Sequence, residues 1–206
     1  MWERRRMEPT PFRGRLEPGG DHDLVAFTED LDGQDASDSR FTDCTFDACS
    51  VDGLRLDHAR LVDTSLGAVH GGTLDAPQVT LQDVAVTDCR IGAVAAYGSE
   101  LVRVELRGGK VDYLNLRDAD LTDVTLAHVV VGELDLAGAR VRRLRLDACT
   151  VRRLDVTGAT LEDVDLRGAD LARLDGVGSL RGARVSEEQL AALSPHLAAF
   201  LGIAVG

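Results

Sequence analysis

Residues 136–161 read LAGARVRRLRLDACTVRRLDVTGATL, and an aliphatic side chain returns at every fifth position of this segment. The same period runs from Phe41 to Leu171, where 24 of the 27 positions are Leu, Val, Ile or Phe. The exceptions are Gly71, Ala76 and Ala96. The phase of the repeat never slips across them, so we expect a loosened coil there without an inserted loop. An α-helix spaces its apolar residues by three and four and a strand by two, so neither explains a step of five.

A second column of small and apolar residues lies two positions before the first. Residues 20 apart are more alike than residues five apart, and one such series is Leu54, Leu74, Val94, Leu114, Leu134, Leu154 and Leu174. This pattern predicts a 20-residue coil with four sides, in which two of every five side chains point inward. Residues 39–178 make about seven such coils, which at about 4.8 Å between stacked strands form a rod about 34 Å long.

The repeat resembles that of a known family. Leu-Arg-Asp-Ala-Asp-Leu at residues 116–121 and Leu-Arg-Gly-Ala-Asp-Leu at residues 166–171 are similar to the A(D/N)LXX repeat of pentapeptide repeat proteins. The resemblance implies an all-β solenoid, the right-handed quadrilateral β-helix of that family. In the gyrase-interacting members, acidic faces imitate duplex DNA, so the resemblance also implies a DNA mimic.

The lattice divides the chain into three parts. Residues 1–38 form an N-terminal segment, with a strand predicted at 24–31 that leads into the first coil, and this segment covers that coil. Residues 39–178 are the β-helix, and residues 179–206 are a C-terminal helical cap. Both ends of a solenoid expose unpaired backbone and core, so both need covering.

The C-terminal part carries helix signals. Ser186-Glu187-Glu188-Gln189 predicts a capping box at the start of a short helix, and Ser194-Pro195 predicts the start of a second helix. The apolar residues of these helices cover the last coil or pair with a second copy of the chain. The resemblance implies a homodimer joined through this end. The cap and dimer candidates are Leu190, Leu193, Leu197, Phe200 and Leu201.

The cysteines and histidines do not predict a reactive site. Cys49, Cys89 and Cys149 share one inner column and are expected to be buried packing residues, and the five histidines, which do not stack, are expected on the surface. We therefore expect no catalytic residue, no metal, no cofactor and no enzymatic activity. Four cysteines are too few for a disulfide framework, and no apolar run approaches the about 18 residues of a membrane helix, so a cytoplasmic protein is expected.

Charge is distributed unevenly along the chain. The net charge is −12, which argues against general nucleic-acid binding, since that requires an excess of Lys and Arg. Residues 21–100 hold sixteen acidic residues against four arginines, whereas residues 101–206 hold sixteen acidic and fourteen basic residues. The acidity therefore belongs to the N-terminal half of the rod.

Outward acidic residues also recur at 20-residue spacing in two columns, which we expect to lie around a shared edge. The first column contains Asp43, Asp63, Asp83, Asp123 and Asp163, and the second contains Asp75, Asp135, Asp155 and Asp175. Arg140, Arg142, Arg143, Arg145, Arg152 and Arg153 form a candidate basic patch, which pairs with Asp147 and Asp155 or makes a separate contact. Net charge over rod length is about one negative charge per 3 Å, against one per about 1.7 Å in DNA.

Two functions remain open from the sequence. The first is a DNA mimic that binds DNA gyrase or another DNA-handling protein through the acidic columns and modulates or protects it, as in quinolone resistance. The alternative is a rigid scaffold or interaction rod with no role at topoisomerases, for which the outward Asp residues are only soluble turn formers.

Overall fold

Parallel strands stack coil upon coil through the part of the chain that the structure, a computed structural model, describes, which is residues 8–204. The chain forms a parallel β-solenoid of about eight turns followed by one C-terminal helix. Leu81 pairs with Leu101 and Leu101 with Leu121, so the step between coils is 20 residues. This register confirms the predicted all-β solenoid.

Twenty-two short strands make up the solenoid. They are β1 (Thr10–Pro11), β2 (Asp21–Asp23), β3 (Val25–Phe27), β4 (Arg40–Thr42), β5 (Thr45–Asp47), β6 (Leu54–Arg55), β7 (Arg60–Val62), β8 (Ser65–Gly67), β9 (His70–Asp75), β10 (Thr80–Thr87), β11 (Arg90–Ala95), β12 (Glu100–Arg107), β13 (Lys110–Asn115), β14 (Asp120–Ala127), β15 (Val130–Asp135), β16 (Arg140–Asp147), β17 (Cys149–Asp155), β18 (Thr160–Glu162), β19 (Val164–Asp165), β20 (Ala169–Leu171), β21 (Leu174–Asp175) and β22 (Ala183–Arg184). A 3-10 turn at Val177–Ser179 and helix α1 (Glu187–Phe200) complete the chain.

The strands form two sheets. The 14-stranded sheet contains the long strands β10, β12, β14 and β16, each of which bends to cover two sides of a coil. The 8-stranded sheet contains β9, β11, β13, β15 and β17 and covers the third side. In the central coils the fourth side, for example residues 96–99, is a turn.

The predicted inner columns form the core. Leu54, Val131 and Leu134 are buried, as are the five-residue lattice positions around them. Phe27 and Phe46 stack with a centroid distance of 4.5 Å beneath the N-terminal end of the solenoid. Gly71 keeps its place opposite Ile91, which confirms that no loop is inserted at the two adjacent glycines.

The stack extends past residues 39–178 at both ends, because the terminal coils use a step of 19 residues. Ala26 pairs with Thr45 at the N-terminal end, and Val164 pairs with Ala183 at the C-terminal end. This gives about eight turns rather than the predicted seven. A terminal coil pairs on one side only, so it can lose a residue at a corner without breaking the register of a further coil.

The prediction of two C-terminal helices is wrong, because α1 runs unbroken through Pro195. Proline has no N–H for the carbonyl oxygen of Ala191, four residues earlier. The hydroxyl of Ser194 donates a hydrogen bond to that oxygen instead, at 2.6 Å, and this satisfies the carbonyl that proline leaves free. Among the described residues, α1 is too short and too polar to cross a bilayer, and no other helix does so.

Candidate partner-binding surface

The first acidic column lies at a corner of the coil where the backbone is left-handed. Asp83 stands in the middle of β10 with φ of 55°, and Asp43, Asp63, Asp123 and Asp163 have φ between 50° and 57°. Aspartate tolerates this conformation better than most residues, because its short side chain bonds the local backbone. The column is therefore explained in part by turn formation, before any partner is considered.

Arginines from the next coil neutralise three members of this column. Arg103 donates to Asp83 at 2.6 Å, and Arg143 donates to Asp123 at 2.8 Å. Hydrogen bonds from these arginines lower the pKa of both carboxyl groups. Arg184 reaches Asp163 at 2.7 Å in the same way.

Asp43 and Asp63, at the N-terminal end of the first column, have no ion-pair partner within residues 8–204. Both are exposed at the surface. The column is thus acidic in its first coils and alternates in charge further along.

The second acidic column is neutralised more deeply. Asp135 is only 3% exposed, and it accepts hydrogen bonds from Tyr113 at 3.2 Å and Arg117 at 3.0 Å. Burial first and then the charge and hydrogen bond of Asp135 raise the pKa of Tyr113. Arg153 donates to Asp175 at 2.7 Å and also lies 3.9 Å from Asp155. These three carboxylates therefore stabilise the coil stack, and Asp75 alone in this column is exposed without a partner in residues 8–204.

The expectation that the two columns share an edge is wrong. The first column lies at the bend within strands of the 14-stranded sheet, whereas the second lies at the C-terminal ends of strands in the 8-stranded sheet. The turn side, residues 96–99 in one coil, separates them on one path around the coil. Two columns at different corners do not make one acidic face.

The candidate basic patch is also divided. Arg140, Arg142, Arg143 and Arg145 lie on β16, but Arg152 and Arg153 lie on β17 of the other sheet. Arg140 pairs with Asp120, Arg142 with Glu162 and Arg153 with Glu133. Within residues 8–204, only Arg145 and Arg152 of the six have no ion pair, so most of this charge is neutralised inside the rod.

The two halves of the rod differ in how far their carboxylates are neutralised. Of the sixteen acidic residues in 21–100, the structure of residues 8–204 gives ion pairs to three, Asp35, Asp57 and Asp83. Of the sixteen in 101–204, it gives ion pairs to eleven. The surface with uncompensated negative charge is therefore the N-terminal half.

Several carboxylates of that half lie outside both predicted columns. Asp52 accepts from the backbone N–H groups of Gly72 and Thr73, each at 2.9 Å, and Asp32 accepts from that of Asp52 at 3.0 Å. These residues hold one coil to the next while keeping their charge. The 20-residue spacing of Asp32, Asp52 and Gly72 was the signal that could have identified them.

The C-terminal cap leaves large apolar side chains uncovered. Leu193 is buried and Leu197 packs against the core, as expected of a cap. Leu190, Phe200 and Leu201 are 50%, 62% and 67% exposed, and Ile203, which the sequence pattern did not single out, is 57% exposed. The cap residues therefore divide into a buried pair and an exposed set.

The remaining reactive residue types are mostly accounted for by packing. All four cysteines are buried as free thiols, and burial raises the pKa of each. No cluster of metal-ligating side chains occurs in the described chain. The expectation that every histidine is at the surface is wrong for His22, which stacks on Phe41 at 5.0 Å. Its Nε2 is buried without a hydrogen-bond partner among the described residues, and burial lowers its pKa.

Comparison with known proteins finds similarity only among solved structures, since no family model and no curated protein matches the chain. A trypsin-treated form of QnrB1, a plasmid-mediated fluoroquinolone resistance protein, shares 17% identity over 91% of this chain and 100% of that chain, with a TM-score of 0.38. HetL, from the cyanobacterium Nostoc and involved in heterocyst differentiation regulation, shares 16% identity over 84% and 93%, with a TM-score of 0.29. Both are pentapeptide repeat proteins. This fits the resemblance in the repeat, while the fold itself is established by the register between coils.

Proposed function

We propose that this protein is a non-enzymatic DNA mimic, which presents the N-terminal half of its solenoid to the basic DNA-binding surface of DNA gyrase or a related topoisomerase. The observation that carries the proposal is the uneven neutralisation of charge. Carboxylates of residues 21–100 mostly lack cationic partners within the described chain, whereas those of residues 101–204 are mostly paired.

A rigid, regularly spaced array of uncompensated carboxylates suits a surface that normally binds phosphates. Such a surface attracts negative charge over the Debye length, so association should be fast and should weaken steeply with salt. The partner's cations would find the same sign of charge and a similar axial spacing as on a duplex. Modulation or protection of the enzyme, as in quinolone resistance, follows from occupying its DNA site.

The experiment is a gyrase supercoiling assay titrated with the protein at low salt. A triple variant, Asp43→Asn with Asp63→Asn and Asp88→Asn, removes three exposed charges at left-handed turns of the acidic half, where asparagine is equally well tolerated. The matched control is Asp118→Asn with Asp123→Asn and Asp163→Asn, from the same kind of turn in the other half.

We expect the first triple variant to lose most of the effect on supercoiling and the control to keep it. No effect of the unmodified protein at micromolar concentration and low salt would refute the gyrase proposal. Equal losses in both variants would refute the acidic half as the contact surface. A different partner recovered from cell extract would favour the scaffold alternative.

We propose further that the protein is a cytoplasmic homodimer joined through its C-terminal ends. Four free thiols suit a reducing compartment. The exposed side chains of Leu190, Leu201 and Ile203 on one end of the rod favour a second copy of the chain as their cover. Sedimentation should show a dimer that Leu201→Glu with Ile203→Glu converts to a monomer of unchanged thermal stability. A monomeric unmodified protein would contradict this assembly.

A further inference from the structure

A cavity of about 130 Å³ lies inside the solenoid, between the coil of Leu56 and the coil of Leu126. These residues are three and a half coils apart, so the lining extends about 17 Å along the axis. Every lining side chain is apolar. The cavity is thus long, narrow and without polar groups of its own.

The cavity comes from two consecutive small residues in one inner column. Ala76 and Ala96 stand between Leu56 and Leu116, which occupy the equivalent positions of the coils on either side. Each alanine leaves out the isobutyl group that its column neighbours place in the interior. The wall around them is loosened as well: Leu81 and Leu106 line the cavity and are only partly buried, whereas Leu121 in the column of Leu81 is fully buried.

The nearby buried polar groups are already satisfied. The hydroxyl of Ser99 accepts from the backbone N–H of Val79 at 3.1 Å and donates to the oxygen of Ala76 at 3.4 Å. The hydroxyl of Thr64 donates to the oxygen of Val62 at 3.0 Å. Water needs two to four polar partners to occupy a buried site, so a cavity of this composition stays dry.

We propose that this cavity is a binding site for a small, narrow apolar molecule without hydrogen-bonding groups, such as a short unbranched hydrocarbon. A dry apolar cavity of about 150 Å³ in another protein takes up benzene or xenon, so the size is sufficient. The length along the axis favours a chain over a broad ring. Such a molecule would regain the van der Waals contacts that Ala76 and Ala96 leave unmade.

The test uses xenon and n-pentane as probes of the full chain. Crystals under xenon pressure should show the gas between the coils of Leu56 and Leu126. In solution, n-pentane at about tenfold excess over its Kd should raise Tm by about 3–6 °C. The bulkier 1,3,5-trimethylbenzene should leave Tm unchanged.

The matched variant fills the cavity with the residue that the same column uses elsewhere. Ala76→Leu with Ala96→Leu should raise Tm without ligand and abolish the response to n-pentane and xenon. The control Ala119→Leu lies at a fully buried position and should lower Tm by overpacking. If the double variant does not fold, Ala96→Val alone should weaken the n-pentane response.

Three results would overturn the proposal. They are ordered water in the cavity of a crystal structure, no response of the unmodified protein to either probe, and an n-pentane response that is equal in the filled variants. None of these depends on gyrase, so the proposed function and the cavity site stand or fall separately.

Discussion

The conformation of single residues at the corners limits how the outward surface can be interpreted. Seventeen described residues other than glycine have φ between 49° and 60°, and aspartate is the commonest among them. A left-handed backbone costs roughly 1–2 kcal/mol for ordinary L-residues, and Asp and Asn tolerate it best. Many outward aspartates are therefore present for the turn, and only their lack of a cationic partner marks them as available to another molecule.

Alanine at such a corner should be replaceable with a gain in stability. Ala68 is exposed with φ of 51°, so Ala68→Asn should raise the free energy of unfolding by about 0.5–1 kcal/mol. Chemical denaturation measures the change. Ala172→Asn, at an exposed residue without positive φ, is the control and should not stabilise. A Tm that falls for Ala68→Asn would count against the corner assignment.

The ion pair between Asp165 and Arg167 predicts a pH dependence. The hydrogen bond from Arg167 lowers the pKa of Asp165 to about 2 from 3.8. A carboxyl group with a lowered folded-state pKa stabilises the fold above the unfolded value, and this stabilisation is lost as pH falls through the folded value. The full shift would correspond to about 2.4 kcal/mol. We expect about 1 kcal/mol, because the Arg167 side chain is 56% exposed and screened by water.

Asp165→Asn should therefore lower the free energy of unfolding at neutral pH. The difference from the unmodified protein should shrink between pH 3.8 and about pH 2. Asp170→Asn, at an exposed carboxylate without an ion pair in the described chain, is the control. A difference that stays constant down to pH 2 would contradict the pairing.

At the scale of elements, the C-terminal helix shows how local signals were correct at one end and misleading in the middle. The capping box is present as predicted: Ser186 accepts from the N–H of Gln189 at 3.1 Å, and the side chain of Gln189 accepts from that of Ser186 at 2.8 Å. The side chain of Gln189 also donates to the oxygens of Leu166 and Ala169, each at 2.8 Å. The start of α1 is thereby tied to the last coils.

Loss of this cap should destabilise the C-terminal end. Ser186→Ala should cost about 1 kcal/mol. Gln189→Ala should cost more than Ser186→Ala, because it also leaves the oxygens of Leu166 and Ala169 without their donor. Amide hydrogen exchange should show the loss first in α1 and β22. Equal protection of α1 in all three proteins would refute its attachment through Gln189.

At the scale of the whole molecule, the net charge of −12 is concentrated in coils that lack compensating arginines. Like charges on stacked coils repel, and this repulsion is reduced as the Debye length falls from about 30 Å at about 0.01 M salt to about 10 Å at about 0.1 M. Tm should therefore rise over this range. The triple variant at Asp43, Asp63 and Asp88 should show a smaller rise than the control triple variant, and a Tm that falls with salt in the unmodified protein would contradict the charge distribution.

The five-residue period alone was enough to predict the coil, its step of 20 residues and the division of side chains into inner and outer columns. Apolar residues every five positions have only one way to be buried together, so the period places Leu134 and its column in the interior. The small residues Ala76 and Ala96 stand out in the same pattern as positions of poor packing.

Which charges remain for a partner depended on tertiary contacts. Vertical neighbours follow from the period, but the corner at which each column lies depends on where the backbone bends, and the two acidic columns proved to lie on different sheets. The pairing of Asp83 with Arg103 and the burial of Asp135 depend on side-chain reach between coils. The unbroken path of α1 through Pro195 depends on a single hydroxyl of Ser194, a contact that helix propensities do not include.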